Sequence, residues 1–378
     1  MAVQFRLVER IASAVLGIFL TVSAPAHAQT AGETCAGSAG TADSRIAACT
    51  QVIQSQSSTA SARAVAYYNR GIEHHGKGQD DLAIADYNQA LRINPNNSLA
   101  YNNRGIAYHS KGQGDLAIAD YSQALRIDPN NALAYYNRGT EYHGKCQDDL
   151  AIADYNQALR IDPSNVLAYN NRGIAYHSKG QDDLAMADYN QTLRIDPNYA
   201  LAYNNRGIVY HSEGQDDLAI ADYNQALHID PNNAHVYYNR GQAFFGVGRF
   251  TDSGADFGRA LSLGPKAVYA LLWLHLARVR SGDGDTAAFA AGAASVDRTK
   301  WPAPVVEFYL GNRAAAQTLA SAADGGERCE ALFYIAEWEL WHNHEDAARS
   351  GFREAVDSCP RTFEEYVGAK AELARLMR

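Results

Sequence analysis

An all-α solenoid of stacked antiparallel helix pairs is the fold class this sequence predicts, and three observations predict it. Glycines Gly71, Gly105, Gly139, Gly173, Gly207 and Gly241 recur every 34 residues. Prolines Pro95, Pro129, Pro163, Pro197, Pro231 and Pro265 recur at the same interval. A fixed period in this range marks a solenoid, whose units are supersecondary elements that cannot bury their apolar faces alone. Tyrosine is also in excess, 23 against 11 Phe, as a copied motif produces.

The elements follow in order. Residues 1–28 read as a signal peptide: Arg6 and Arg10 precede an apolar stretch from Ile11 to Val22, and Ala26-His27-Ala28 offers an A-x-A cleavage site. The apolar run is too short to span a bilayer. Residues 29–63 form an N-terminal segment with a capping helix over Thr41 to Gln56. Six units occupy 64–267. In the unit 98–131, Leu99, Tyr101, Ile106 and Tyr108 mark a first helix that Gly112 breaks, and Gln113 to Asp115 offer an N-cap for the next. The second helix carries Leu116, Ala117, Tyr121, Ala124 and Leu125. Pro129 stops it, because proline lacks the N–H and clashes with the preceding turn. Asn130 and Asn131 suit the turn and the next cap. Small Gly105, Ala117 and Ala124 let the two helices approach closely.

Residues 268–378 are expected to continue as degenerate units. Leu271 and Leu274 lie in a first helix, Gly282 breaks it and Ala287 starts a second. A shortened pair spans 302–325, period returns over 327–360, and a cap runs from Phe363 to Met377. Terminal units must differ because one face is solvated.

The spacing together with early Gly, central Ala and late Pro resembles the tetratricopeptide repeat (TPR) family. That resemblance implies a right-handed superhelix, a non-catalytic scaffold, and a concave surface lined by the first helices that binds proteins or peptides. Carried onto this chain, the binding positions it implies are Tyr68, Asn102, Tyr136, Asn170, Asn204 and Tyr238. Beside them stand Asn69, Asn103, Asn137, Asn171, Asn205 and Asn239. One turn on come His75, His109, His143, His177 and His211, with Phe245 in the sixth unit. The expected surface is a polar, aromatic trough with few fixed charges, suited to amide ladders and Tyr stacking, whose affinity depends weakly on salt.

One departure from the family recurs. The residue before each Gly is Arg (Arg70, Arg104, Arg138, Arg172, Arg206, Arg240) where the family has an apolar residue. An Asp follows sixteen positions later (Asp86, Asp120, Asp154, Asp188, Asp222, Asp256). An Arg forced toward a helix–helix seam needs a charge partner, so each Arg is expected to meet its Asp.

Charge and motifs narrow the function. With 33 Lys+Arg against 42 Asp+Glu, the net charge of −9 argues against nucleic acid as a partner. Equivalent histidines in stacked helices lie about 8–10 Å apart, too far for one metal ion whose ligands sit about 2 Å away. The run His342-Asn343-His344-Glu345 matches no metal motif, and Gly246-Val247-Gly248 follows a helix rather than a strand. No G-x-S-x-G is present. We expect no metal, no cofactor and no catalytic residue. The alternative reading is an envelope enzyme or a small-ligand or metal-binding receptor on the same solenoid.

Export changes the reading of five cysteines. Cys329 and Cys359 fall at the start and end of an antiparallel helix hairpin, which lie side by side, so they are expected to pair. Cys35 is expected to pair with Cys49, and Cys146, in a loop, to stay a free thiol. The expected location is periplasmic or secreted, with no anchor once the leader is cleaved.

Overall fold

The computed structural model describes residues 30–37, 40–264, 267–284, 286–360 and 363–377. The leader and Pro265 lie outside the described residues. Those residues form twenty-one helices and no strand. The chain divides into two compact units at Asn171 and Arg172.

In the first unit, α1 (Ala31–Ala36) and α2 (Ala42–Gln54) precede helix pairs α3 (Ala60–Gly76) with α4 (Asp80–Ile93), α5 (Ser98–Ser110) with α6 (Gly114–Ile127), and α7 (Ala132–Gly144) with α8 (Asp148–Ile161). Helix α9 (Val166–Ser178) spans the division. The second helices carry their reason in sequence: acids in the first turn and Arg in the last complement the helix dipole. Their buried residues repeat as Ala83, Tyr87, Ala90 and Leu91, a stripe of helical period. Helices α5 and α7 start on asparagine caps, with Oδ1 of Asn97 and Asn131 accepting from Ala100 N at 3.1 Å and Ala134 N at 3.0 Å, and α3 starts on Thr59. The second helices differ from expectation at their starts: Gln79, Gln113 and Gln147 make no side-chain cap bond.

Gly105 explains the close seam. A Cβ there would lie 2.6 Å from the Tyr121 ring, so only glycine lets that ring lie against the helix backbone. At the break between α7 and α8, Cys146 adopts φ 57°, where neighbouring units place Gly78 and Gly112 at about 70°. A non-glycine residue there is strained.

The second unit continues with α10 (Asp182–Ile195), α11 (Ala200–Ser212), α12 (Asp216–Ile229), α13 (Ala234–Gly246) and α14 (Phe250–Leu263). Then come α15 (Ala267–Ser281), α16 (Thr286–Ala293), α17 (Ala303–Tyr309), α18 (Ala315–Leu319), α19 (Gly325–Trp341), α20 (Glu345–Ser358) and α21 (Glu364–Leu376). An aromatic core fills the C-terminal part of this unit. Trp273 packs against Phe245 and Phe333 at 5.2 Å each and stacks on Phe257 at 5.8 Å. The terminal helix lies along α13. Tyr238 donates to Glu364 at 2.6 Å, and Arg375 donates to the Gly246 carbonyl at 2.7 Å. Gly368 lets the same helix lie close to α19, since a Cβ there would sit 2.8 Å from the Phe333 ring.

Both expected disulfides are present, Cys35–Cys49 and Cys329–Cys359, and Cys146 is an exposed free thiol.

Candidate partner-binding face

Within the first unit, the first helices of successive pairs touch, α3 with α5 and α5 with α7, which places them on the inner side of the stack. What each sequence-selected residue does on that side is set by its neighbours.

The Arg–Asp expectation holds at every rung. Arg104 donates through Nε and Nη2 to both oxygens of Asp120 at 2.7 Å, joining the two helices of its pair. Arg70, Arg138, Arg172, Arg206 and Arg240 meet Asp86, Asp154, Asp188, Asp222 and Asp256 through the same two-pronged fork at 2.7–2.8 Å. Each carboxylate is buried. The fork suits guanidinium, and Tyr101 and Tyr108 hold its face at 5.3 and 5.9 Å. The Asp222 hydrogen bond pushes Arg206 above its ordinary value. These residues are structural latches.

The asparagines form a ladder between pairs. Asn103 donates to Tyr68 Oη at 3.1 Å, Asn137 to Asn102 Oδ1 at 3.1 Å and Asn171 to Tyr136 Oη at 3.1 Å. In the second unit Asn239 donates to Asn204 Oδ1 at 2.9 Å, and Asn204 also donates to Asn205. Asn69 ties the first pair to the Cys35 carbonyl.

This ladder corrects the expected trough. Asn102, Tyr136, Asn170 and Tyr238 are buried, so they do not offer their faces to a partner. The physical reason is packing. Tyr68 and Tyr136 lean on Tyr87 and Tyr155 at 6.1 Å inside their own pairs, and α21 covers Tyr238. Burial pushes the Tyr136 phenol above its ordinary value against the Thr140 and Asn171 hydrogen bonds. Asn69, Asn103, Asn137, Asn171, Asn204, Asn205 and Asn239 remain partly exposed.

The histidines are latches as well. Each sits in the last turn of a first helix and pairs through Nδ1 with the first residue of the following helix. His75–Asp80, His143–Asp148 and His177–Asp182 are 2.6 Å apart, and His211–Asp216 is 2.5 Å. His109 departs from the rule and meets Glu141 of the next pair. Phe245 is buried against Trp273. Among the described residues no group of three His, Cys, Asp or Glu side chains is placed to hold a metal ion, and no helix is long and apolar enough to cross a membrane.

Sequence reasoning missed an apolar row. Val65 in the second turn of α3 and Leu99 and Leu133 in the first turns of α5 and α7 are 51%, 54% and 43% exposed. Each precedes its partly exposed Asn69, Asn103 or Asn137 by four residues and so shares a helix face with it. The 34-residue recurrence was visible; helical period alone assigned Leu99 to the interior.

Arrays of near-identical helix pairs latched within and between pairs define a helical-repeat solenoid protein. A TPR repeat model matches residues 71–112, 107–145, 147–180, 175–214 and 209–248, and a tetratricopeptide repeat model matches 238–304. The chain belongs to the tetratricopeptide repeat family. Nothing among the curated proteins matches it. Among solved structures, a tetratricopeptide repeat protein from Parabacteroides merdae is 18% identical, covers 65% of this chain and 96% of its own, and has a TM-score of 0.51. PilF of Pseudomonas aeruginosa is 19% identical over 57% of this chain and 97% of its own, with a TM-score of 0.51. MamA is 28% identical over 43% of this chain and 94% of its own, with a TM-score of 0.41. The first two likenesses show the shared all-α solenoid fold.

Proposed function

We propose that this chain is an exported, non-catalytic scaffold that docks a protein or peptide segment on the inner face of its first helices. The observation carrying this reading is the row Val65, Leu99 and Leu133, exposed once per pair beside a rung of partly exposed asparagines. An apolar stripe flanked by amide donors and acceptors suits a bound segment that buries alternate side chains and hydrogen-bonds between them. Membership of a family of protein-binding scaffolds supports the same reading. The arginines and histidines spent on internal latches leave the face with few free charges. Two disulfides support residence in an oxidising compartment, in keeping with the leader read at 1–28.

Affinity capture from envelope extracts with wild-type protein and with Leu99→Asp/Leu133→Asp tests the binding face. A segment retained by the wild type and lost by the variant, with weak dependence on ionic strength, is the expected result. Equal retention by both proteins removes the face from consideration. Recovery of the protein from the envelope fraction starting at Gln29 tests export.

A further inference from the structure

One rung of the array is built differently from its copies. Where four units place Asp80, Asp148, Asp182 and Asp216 against the preceding histidine, the second pair has Gly114. The carboxylate is supplied instead from α7 by Glu141, at a position that is Ala107, Ala175, Val209 or Ala243 in four other units and Glu73, paired with Arg45, in the first. The two changes are sterically linked. A Cβ on residue 114 would lie 2.7 Å from Glu141 Oε2 and 3.7 Å from Lys145 Cε. Gly114 lines a cleft of about 550 Å³, and the buried carboxylate of Glu141, only 9% exposed, lines it too.

We propose that this cleft is a subsite for a basic side chain, an arginine or lysine of the docked segment. Its lining carries Glu141 and Asp115 as carboxylates, and Lys145 is already held by Asp115 at 2.7 Å. Glu141, paired with the His109 imidazole, is the buried charge that lines the cleft. Leu116, 48% exposed, lies on the cleft wall and offers an apolar surface for the aliphatic stem of a long basic side chain. A buried carboxylate gains most from a donor that brings charge and directed hydrogen bonds together, which favours guanidinium. In four copied rungs an Asp paired with the preceding histidine stands where this rung has Gly114. The subsite would select a basic residue at one point along a face that is otherwise apolar and polar-neutral. That assignment to a partner's side chain rests on the function proposed above.

The subsite itself is tested with a free probe, so the two ideas fail separately. Full-length protein carrying ¹³C-labelled histidine is titrated with N-acetyl-arginine amide and with N-acetyl-citrulline amide, its neutral isostere. We expect the His109 ring resonances to move saturably with arginine, with a Kd on the order of 1–10 mM, and at least about fivefold more weakly with citrulline. Gly114→Asp, which restores the residue of the other rungs, and Glu141→Gln are both expected to abolish the arginine response while circular dichroism stays unchanged. Equal responses to the two probes, arginine shifts that persist in Gly114→Asp, or no His109 response to arginine at tens of millimolar each overturn the proposal.

Discussion

The helix pairs of the first unit and the C-terminal part of the second are stabilised in different ways. From α3 to α8 the interior is thin, built of alanines, one Tyr per second helix and a leucine, and polar latches recur: Arg to Asp within pairs, His to carboxylate within pairs except at His109, and Asn to Tyr or Asn between them. From Tyr238 onward a single aromatic core gathers residues from α13 to α21. A periodic stack has only neighbours to contact, so every rung must carry its own register device. A stretch that has lost period is free to bring distant residues together, and α13 and α21 meet across more than a hundred residues of sequence, 126 between Tyr238 and Glu364. Stability should accordingly be local in the array and cooperative in the C-terminal core.

The largest effect is expected at Trp273, buried among four aromatic rings. Trp273→Ala should cost about 3–5 kcal/mol. Hydrogen exchange should show protection lost throughout α13–α21 while α3–α8 keep theirs. Equal loss in α3–α8 would break the comparison.

Next comes the disulfide pair. Removing Cys329–Cys359 by double Ser substitution should cost about 2–4 kcal/mol in denaturant unfolding. It encloses a separation of 30 residues against 14 for Cys35–Cys49, so loop entropy alone makes it the more stabilising bond by roughly 0.7 kcal/mol. The reverse order would show that the N-terminal cap depends on its bond more than the C-terminal core does.

A smaller and purely local effect is expected from Arg138→Met. It leaves the buried Asp154 carboxylate without its fork, at a cost of about 1–3 kcal/mol. Arg138→Met/Asp154→Leu should recover most of that loss, because replacing a buried pair by apolar groups is often neutral. Since the rungs are copies, Arg104→Met should match Arg138→Met closely. A large difference between them would mean that neighbours are not equivalent.

The smallest effect concerns Glu330, which accepts from Trp301 Nε1 at 2.7 Å and Tyr269 Oη at 3.1 Å. Burial raises its carboxyl above the usual range despite those donors. A carboxyl raised by folding contributes stability below its unfolded pKa and loses it as pH rises through the folded value. Glu330→Gln should therefore flatten the change in Tm between about pH 4 and neutral pH, with its benefit at the neutral end. A steeper dependence in the variant would reverse the sign of this argument.

Much of the fold was legible because the array repeats itself. Gly105, Tyr121 and Pro129 occupy positions that local chemistry explains, and the Arg104–Asp120 latch could be inferred from a charge that needs a partner in a seam. The Cys329–Cys359 pair followed from hairpin geometry. The candidate face was less legible. Tyr136 and Leu99 both fit a helical period, and period alone cannot say which side of a first helix meets the neighbouring pair and which stays open.

The sequence by itself therefore determined the unit, its boundaries and its internal pairs, since these depend on contacts within about 34 residues that every copy repeats. Only the tertiary structure decided which residues stayed accessible. Stacking turned Asn102 and Asn170 inward and left Leu99 and Leu133 outside. The return of α21 onto α13 closed over Tyr238. The vacancy at Gly114 brought Glu141 to His109 from the next pair. Each of those outcomes is set by the packing of one helix pair or terminal helix on another, which the pattern inside a single unit does not encode.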